Sequence, residues 1–179
     1  QKVASAIRES HACGPGSRYV MHGAGVCATL FGSGLMKRLL ALDPPGVAIS
    51  VARHGGVLYE GIEETLSKLS EKHRLFIVSN CQTGYIEAFF EYCGLERLFT
   101  DYLCWGETGK SKDITIRQIM ERNKVTNAAY VGDTAGDCES AFKAGIPFVH
   151  AAYGFGKNMP EDKIAASAKD IRELAEIFG

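Results

Sequence analysis

The chain has 179 residues, of which 46% are hydrophobic and 23% are charged, and its formal net charge at pH 7 is −1. This length and composition predict a globular protein of one domain, with at most a small appendage. A near-neutral charge without a basic cluster argues against nucleic acid as a partner. The sequence has no apolar run of the ~20 residues that a membrane span requires, so we expect no membrane partner either.

The cysteine pattern indicates the compartment. The chain has 6 cysteines, and no two of them form a Cys-x-x-Cys pair. Scattered thiols are typical of a reducing environment rather than of a disulfide framework or a zinc site. The apolar-leaning stretch at 20–35 lacks the basic start and the position of a signal peptide. We therefore expect a cytoplasmic protein.

Residues 1–55 differ from the rest of the chain. Glycine is dense there, and the apolar positions keep neither a helical nor a strand period for long. Only weak helical patterns occur, at about Lys2–Glu9 and Leu35–Leu42. The run Gly23-Ala24-Gly25 is loosely similar to a dinucleotide-binding turn, but the third glycine is absent and no strong strand is predicted before it. The prediction for 1–55 is an atypical N-terminal segment.

From residue 56 onward, strand and helix patterns alternate. The apolar periodicity predicts helices at 61–73, 83–93, 114–122, 136–144 and 171–178, and strands at 74–79, 101–105, 128–132 and 147–152. Asp170 is predicted to cap the last helix. Regular alternation of this kind predicts an α/β fold with a doubly wound parallel sheet, so residues 56–179 are expected to form the core.

Two carboxylates follow the predicted strand 128–132. Asp133 and Asp137 lie four residues apart, where that strand ends and the next helix begins. Ligands bind at this place in an open α/β sheet. Neighbouring carboxylates repel one another, and hard oxygen ligands suit Mg²⁺, so the pair is a candidate metal site. The alternative is that both residues only cap and solvate the start of the helix.

Two further polar positions suit phosphate chemistry. Ser79 and Asn80 end the strand 74–79, and Lys112 precedes the helical pattern at 114–122. A hydroxyl, a backbone N–H and an ammonium would neutralise the charge of a phosphoryl group, which is most of what catalysis of its transfer requires. The alternatives are a strand-end serine and a solvated lysine. Lys110 is the rival of Lys112 for the cationic role.

The stretch Gly106–Ser111 ends like the phosphate loop of a nucleotide triphosphatase. That loop needs a further glycine at the place of Cys104, and it normally follows the first strand of its fold. A nucleotide triphosphatase is therefore an alternative, distinguished by binding of nucleotide with Mg²⁺.

The sequence resembles the haloacid dehalogenase-like hydrolase superfamily, and within it the phosphoglycolate-phosphatase-like members. The resemblance lies in the order of a strand-end serine, a lysine and an acidic pair, here Ser79, Lys112, Asp133 and Asp137. The resemblance covers about 58–179. It implies a Rossmann-type core and a Mg²⁺-dependent phosphatase that hydrolyses a small phosphorylated metabolite through a phosphoaspartyl mechanism. It implies catalytic roles for Ser79, Lys112 and Asp133, phosphate binding by Ser79, Asn80 and Lys112, and metal binding by Asp133 and Asp137.

One motif of that family is absent from the sequence. Its members begin with an apolar strand that ends in Asp-x-Asp-Gly-Thr/Val, whose first Asp is the nucleophile and whose second is the general acid and base. Asp43 is the single aspartate among the first hundred residues, and Pro45 stands where its partner would be. We expect that the chain lacks the nucleophile strand, as a fragment or a damaged sequence, with 1–55 a cap remnant or damaged segment. Activity is then impaired; the alternative is a non-catalytic relative that binds phosphate or metal.

Overall fold

The computed structural model describes the backbone of residues 18–22 and all of residues 58–179 except Lys157. Its strands form one sheet: β1 (Arg18–His22), β2 (His73–Ser79), β3 (Phe99–Cys104), β4 (Ala128–Gly132), β5 (Phe148–Ala151) and β6 (Ile164–Ala168). Every neighbouring pair is parallel, in the order β3-β2-β1-β4-β5-β6. The predicted α/β fold with a doubly wound parallel sheet is confirmed.

Helices connect the strands: α1 (Ile62–Ser70), α2 (Tyr85–Cys93), α3 (Trp105–Thr108), α4 (Lys112–Arg122), α5 (Ala135–Ala144) and α6 (Glu173–Phe178). Two short 3₁₀ turns, Glu96–Leu98 and Glu161–Lys163, precede β3 and β6. Gly94 ends α2, as an αL residue with φ of 65° can. The helices predicted within residues 58–179 are all present, with ends shifted by a few residues.

The start of the last helix differs from the prediction. α6 begins at Glu173 and not at Ile171, so Asp170 is not its cap. The Asp170 carboxylate instead accepts a hydrogen bond from the backbone N–H of Arg172, two residues on. An aspartate that bonds locally in this way forms a turn before the helix rather than the helix end itself. The prediction failed because a helix cap and a local turn both use the aspartate side chain to accept a hydrogen bond from a backbone N–H, so the sequence does not distinguish them.

Strand β6 was not predicted. Its sequence, Ile-Ala-Ala-Ser-Ala, contains one β-branched residue and lies at the edge of the sheet with most side chains half-buried. Strand propensity depends largely on packing against neighbouring strands, and this packing cannot be predicted from a short run of small residues. Pairing with β5 supplies that context.

Both faces of the sheet are covered by helices. On one face, Ile77 and Val131 pack with residues of α1, α2 and α6. On the other, Phe76, Val78 and Tyr130 pack with residues of α4 and α5. Successive strand residues point to opposite faces, so adjacent positions of β2 serve the two cores in turn. A parallel sheet covered on both faces leaves its carboxyl edge as the natural place for a ligand.

Strand β1 comes from the N-terminal segment, directly before Gly23, where no strong strand was predicted. Its backbone pairs with β2 on one side and β4 on the other. The sequence does not show this pairing on both sides, which decides the conformation of the five residues. Asp43 and the helical patterns at Lys2–Glu9 and Leu35–Leu42 lie outside the described residues. Among the described helices, none has the length and apolar character needed to span a membrane.

We expect Phe148→Ala to lower the free energy of unfolding by about 3–5 kcal/mol, because it removes a core side chain that is 2% exposed. Phe142→Ala is the control, since that side chain is 62% exposed and should cost under about 1 kcal/mol. Urea unfolding measures both. Equal losses in the two variants would contradict the assignment of the core.

Candidate active site

The polar residues predicted for the site lie at the carboxyl edge of the sheet. Ser79 is the last residue of β2, and Asp133 directly follows β4. The strands of Ser79 and Asp133 are not neighbours in the sheet, because β1 lies between β2 and β4. Because strands are about 4.8 Å apart, Ser79 and Asp133 stand on strands separated by about 10 Å. The end of β1 is therefore between them.

A buried ion pair joins Lys112 to Asp137. The Lys112 ammonium donates to the Asp137 carboxylate at 2.6 Å, and the two side chains are 3% and 0% exposed. Lys112 is the first residue of α4, while Asp137 lies in the first turn of α5. Lys110, the rival cation, is exposed. The structure thus brings Lys112, and not Lys110, to the acidic pair.

Asp137 also completes the start of α5. Its second carboxylate oxygen accepts hydrogen bonds from the backbone N–H and the hydroxyl of Thr134, at 3.1 and 2.7 Å. In return, the Thr134 hydroxyl accepts from the Asp137 N–H at 3.1 Å. This reciprocal capping box fixes the carboxylate. Both oxygens of Asp137 already accept hydrogen bonds, so its first role is to hold Lys112 and the helix start.

Asp133 has an acceptor to spare. It is 1% exposed, and one carboxylate oxygen accepts from the backbone N–H of Phe155 at 2.9 Å. The other, Oδ1, is buried without a hydrogen-bond partner in the described part of the chain. Burial raises the pKa of this carboxyl, and the neighbouring charge of Asp137 raises it further. A bound cation would favour the charged form of this carboxylate and would give the buried Oδ1 a partner.

The site fits a magnesium ion in a limited way. Within the described ranges, no group of three or more His, Cys, Asp or Glu side chains is arranged to hold a metal. Mg²⁺ is nevertheless commonly held by one or two carboxylates together with substrate phosphate and water. Oδ1 of Asp133 supplies one such ligand. Asp137 is the weaker candidate because its oxygens are committed.

Three glycines pack against the acidic pair. A Cβ on Gly132 would lie 2.7 Å from the Cβ of Asp137, and one on Gly154 would lie 2.3 Å from the Cβ of Asp133. A Cβ on Gly156 would lie 1.5 Å from the carbonyl oxygen of Asp133. The loop with Gly154 and Gly156 was not predicted to belong to the site. Its signal was a Gly-Phe-Gly run soon after a predicted strand, at the same edge of the sheet.

Ser79 is buried, and its hydroxyl oxygen accepts from the Cys81 N–H at 3.2 Å. Its proton therefore remains able to point toward a ligand. Asn80 is exposed. The turn after β2 is held by Gly106, whose N–H donates to the Cys81 carbonyl at 3.0 Å. A Cβ on Gly106 would lie 2.2 Å from the backbone nitrogen of Thr83, so only glycine fits.

The contacts of Gly106 also bear on the nucleotide-triphosphatase alternative. Residues Trp105–Thr108 form α3, after the edge strand β3, and Gly109 ends this helix in the αL conformation. In the sequence pattern, Gly106 thus belongs to α3, while Gly109 and Lys110 lie at the exposed end of that helix. A phosphate loop requires successive backbone N–H groups to surround the anion, and α3 uses its first glycine to support Cys81.

Two tyrosines that the sequence analysis did not select lie near Asp133. The Tyr59 hydroxyl donates to the Tyr153 carbonyl at 3.0 Å, and the rings meet edge to face with centroids 5.2 Å apart. Burial raises the pKa of both phenols, and the charge of Asp133 adds to the rise. The hydrogen bond joins Tyr59 to the loop that carries Gly154.

Replacing Lys112 by methionine should be strongly destabilising. The change leaves the Asp137 carboxylate buried without its cation, so we expect a loss of about 3–5 kcal/mol in the free energy of unfolding. Lys110→Met is the matched control and should stay within about 0.5 kcal/mol of the parent, as surface changes do. Thermal or urea unfolding provides the comparison, and similar losses for both lysines would refute the buried pair.

Gly156→Ala and Gly136→Ala test the packing of the loop on Asp133. The first places a methyl group against the backbone of Asp133. We expect it to lower the free energy of unfolding by at least about 1–3 kcal/mol, as in overpacked cores. At Gly136, in the first turn of α5, the nearest atom to a new Cβ is 3.7 Å away, so alanine should stabilise by at most about 1 kcal/mol. Equal stability of the two variants would contradict this close approach.

Comparison with known proteins agrees with this geometry. The model of the haloacid dehalogenase-like hydrolase family matches residues 49–151, more than half of the chain. A phosphoglycolate phosphatase from Pseudomonas savastanoi pv. phaseolicola is 26% identical over an alignment of 164 residues, and the match covers 78% of this chain and 60% of that protein. The chain thus spans 60% of the length of the curated relative it matches.

Solved structures share the fold. A haloacid dehalogenase-like family hydrolase from Streptococcus pneumoniae has a TM-score of 0.72 and 15% identity, covering 92% of this chain and 99% of its own. A 2-haloacid dehalogenase from Pseudomonas syringae pv. tomato has a TM-score of 0.65 and 15% identity, covering 89% and 97%. At such identities the likeness concerns the fold alone. The family match, the fold and the ordered site residues agree, and the chain belongs to the haloacid dehalogenase-like hydrolase family.

Proposed function

We propose that this chain carries the phosphate-handling core of a Mg²⁺-dependent phosphatase for small phosphate esters, and that the chain as given turns them over at or near background. The observation that carries the proposal is the buried contact of Lys112 with Asp137, at 2.6 Å, beside the unpartnered Oδ1 of Asp133. Together they place a fixed cation and a free anionic oxygen at the ligand edge of the sheet.

Each residue has a role that follows from its contacts. An ammonium has three N–H donors, and Lys112 uses one for Asp137, which leaves others for phosphate oxygens. The Ser79 hydroxyl accepts from Cys81 and can donate its proton to the phosphate. Asn80 could add a backbone N–H. These groups orient the phosphoryl group and offset its charge, as phosphoryl transfer requires.

Asp133 would hold the magnesium ion. When bound, Mg²⁺ neutralises phosphate charge and orients the phosphoryl group. Asp137 acts chiefly through Lys112, because its oxygens accept from Lys112 and Thr134. The proposal therefore gives the two aspartates different roles, although they belong to one sequence motif. The substrate class follows from the family and from the phosphatase relative, and a small phosphorylated metabolite is the proposed partner.

A non-catalytic role is the second candidate. Asp43 is the one aspartate before residue 101, so no Asp-x-Asp pair stands there to supply a phosphoaspartyl nucleophile and a general acid. A relative of this kind would bind phosphate or metal without turnover. One measurement distinguishes the two candidates. A phosphatase releases inorganic phosphate from a bound phosphate ester, whereas a non-catalytic relative binds the ester and leaves it intact.

Mg²⁺ and inorganic phosphate should bind to the unmodified chain, and Asp133→Asn should weaken Mg²⁺ binding more than Asp137→Asn. The reason is that Asp133 has the free oxygen, while Asp137 supports Lys112. Isothermal titration calorimetry at fixed pH measures both variants, with Asp170→Asn as a control at a carboxylate that pairs with Arg172 instead of Lys112. Equal loss in both site variants, or no loss in either, would count against the assignment.

Hydrolysis of p-nitrophenyl phosphate or phosphoglycolate by the unmodified chain should stay at or near background. General acid help to a leaving group is typically worth about 10²–10⁴-fold in rate, and loss of a nucleophile would cost more. Robust turnover that disappears in Asp43→Asn would instead identify Asp43 as the nucleophile.

A further inference from the structure

Two exposed aromatic side chains stand beside the residues proposed to bind phosphate. Trp105 is 44% exposed and Phe155 is 38% exposed. Trp105 directly follows β3 and Phe155 lies in the loop after β5, so both belong to the carboxyl edge of the sheet. Ligand sites combine a few polar groups with apolar and aromatic side chains that the ligand covers. The two rings are therefore candidates for the apolar part of the site.

The backbone of Phe155 is held against Asp133. Its N–H donates to the Asp133 carboxylate at 2.9 Å. The glycines on either side of it, Gly154 and Gly156, pack so closely on Asp133 that no Cβ fits. Three consecutive residues thus contact Asp133, and the exposed ring of Phe155 starts from a fixed point beside the proposed magnesium ligand.

Trp105 is held in a similar way on the other side of the site. Cys104, the residue before it, pairs with Ser79 in the register of β2 and β3. Gly106, the residue after it, donates its N–H to the Cys81 carbonyl at 3.0 Å. Because both neighbours of Trp105 contact the segment 79–81, its backbone lies beside the serine proposed to bind phosphate.

The other exposed aromatic side chains in the described part of the chain lie away from this edge. Tyr92 is in the last turn of α2, and Phe142 is in the last turn of α5. Helices that connect parallel strands run back toward the amino edge of the sheet, so their last turns lie opposite the site. Tyr92 and Phe142 are therefore matched controls for the two rings at the carboxyl edge.

We propose that the rings of Trp105 and Phe155 contact the organic part of the ester, so that the site takes phosphate esters of aromatic or other apolar alcohols. This inference rests on the proposed function, since the phosphoryl group must be held between Ser79 and Asp133. With that group in place, Trp105 lies beyond Ser79 on the side of β3. Phe155 lies beyond Asp133 on the side of β5, and the alcohol projects between the two rings.

The chemistry of the rings selects the alcohol. An apolar alcohol and the two rings remove one another from water, which favours binding. A carboxylate on the alcohol, as in phosphoglycolate, would lose water against these rings without gaining a hydrogen bond from either of them. The rings therefore favour an uncharged, apolar alcohol over a charged one.

Isothermal titration calorimetry of the unmodified full chain with Mg²⁺ tests the inference. The probes are inorganic phosphate, methyl phosphate, phosphoglycolate and phenyl phosphate. We expect phenyl phosphate to bind about 10-fold more tightly than methyl phosphate or phosphoglycolate, because the phenyl group removes more apolar surface from water.

The double variant Trp105→Ala/Phe155→Ala should lose this preference. The readout is the ratio of the affinities for phenyl and methyl phosphate, so a general weakening of phosphate binding through the Phe155 backbone cancels. Tyr92→Ala/Phe142→Ala removes two exposed rings at the other edge and should keep the ratio of the unmodified chain. Trp105→Phe/Phe155→Tyr retains aromatic rings at both positions and should keep most of the preference.

Fluorescence gives a second readout without a variant. Trp105 is the only tryptophan of the chain, so the emission excited at long wavelength reports this position alone. Saturating phenyl phosphate should shift the emission to shorter wavelength, because it covers the indole from water, and methyl phosphate should shift it less. An emission that does not respond to bound phenyl phosphate would overturn the role given to Trp105.

Equal affinities for phenyl and methyl phosphate, or a preference that survives in Trp105→Ala/Phe155→Ala, would overturn the inference and leave the proposed function standing. Tighter binding of phosphoglycolate than of phenyl phosphate would also overturn it, in favour of a charged substrate. If the unmodified chain binds neither inorganic phosphate nor any of the esters, the proposed function fails, and the inference fails with it.

Discussion

The contact between Lys112 and Asp137 is the constraint around which the site is arranged. Removing an ammonium and a carboxylate from water costs several kcal/mol for each ion, so neither is stable in the interior without the other. This pair joins the first turn of α4 to the first turn of α5, and Asp137 also caps the latter through Thr134. A fixed charge pair thus positions two helix starts beside the carboxyl ends of the central strands.

The surroundings of Asp133 follow from the same arrangement. The described hydrogen bond of Lys112 goes to Asp137 and not to Asp133, and the Phe155 N–H satisfies one oxygen of Asp133 alone. The Gly154 and Gly156 backbone closes over it so tightly that no side chain fits. The result is a buried oxygen without a partner in the described part of the chain, held by backbone rather than by flexible side chains. Such a group costs stability, which is a common property of functional sites.

Much of the core could be predicted from the sequence because its signals are periodic. Apolar spacing located α1, α2, α4 and α5, and strand-end polar residues located Ser79 and Asp133. Contacts distant in sequence could not be predicted in this way. Asp137 pairs with a residue 25 positions away, and Gly156 packs on Asp133 from the loop after β5. Strand β1 was missed for a similar reason, since it gains its conformation from pairing with β2 and β4, which are distant in sequence.

A double-mutant cycle on Lys112→Met and Asp137→Asn tests the central claim most directly. Each single change leaves one buried charge unpaired, while the double variant leaves none, and asparagine keeps the shape that caps Thr134. We predict that the double variant is less destabilised than the sum of the singles, with a coupling of about 0.5–3 kcal/mol in the free energy of unfolding. Losses that add within about 0.5 kcal/mol would contradict the account, because independent sites behave in that way.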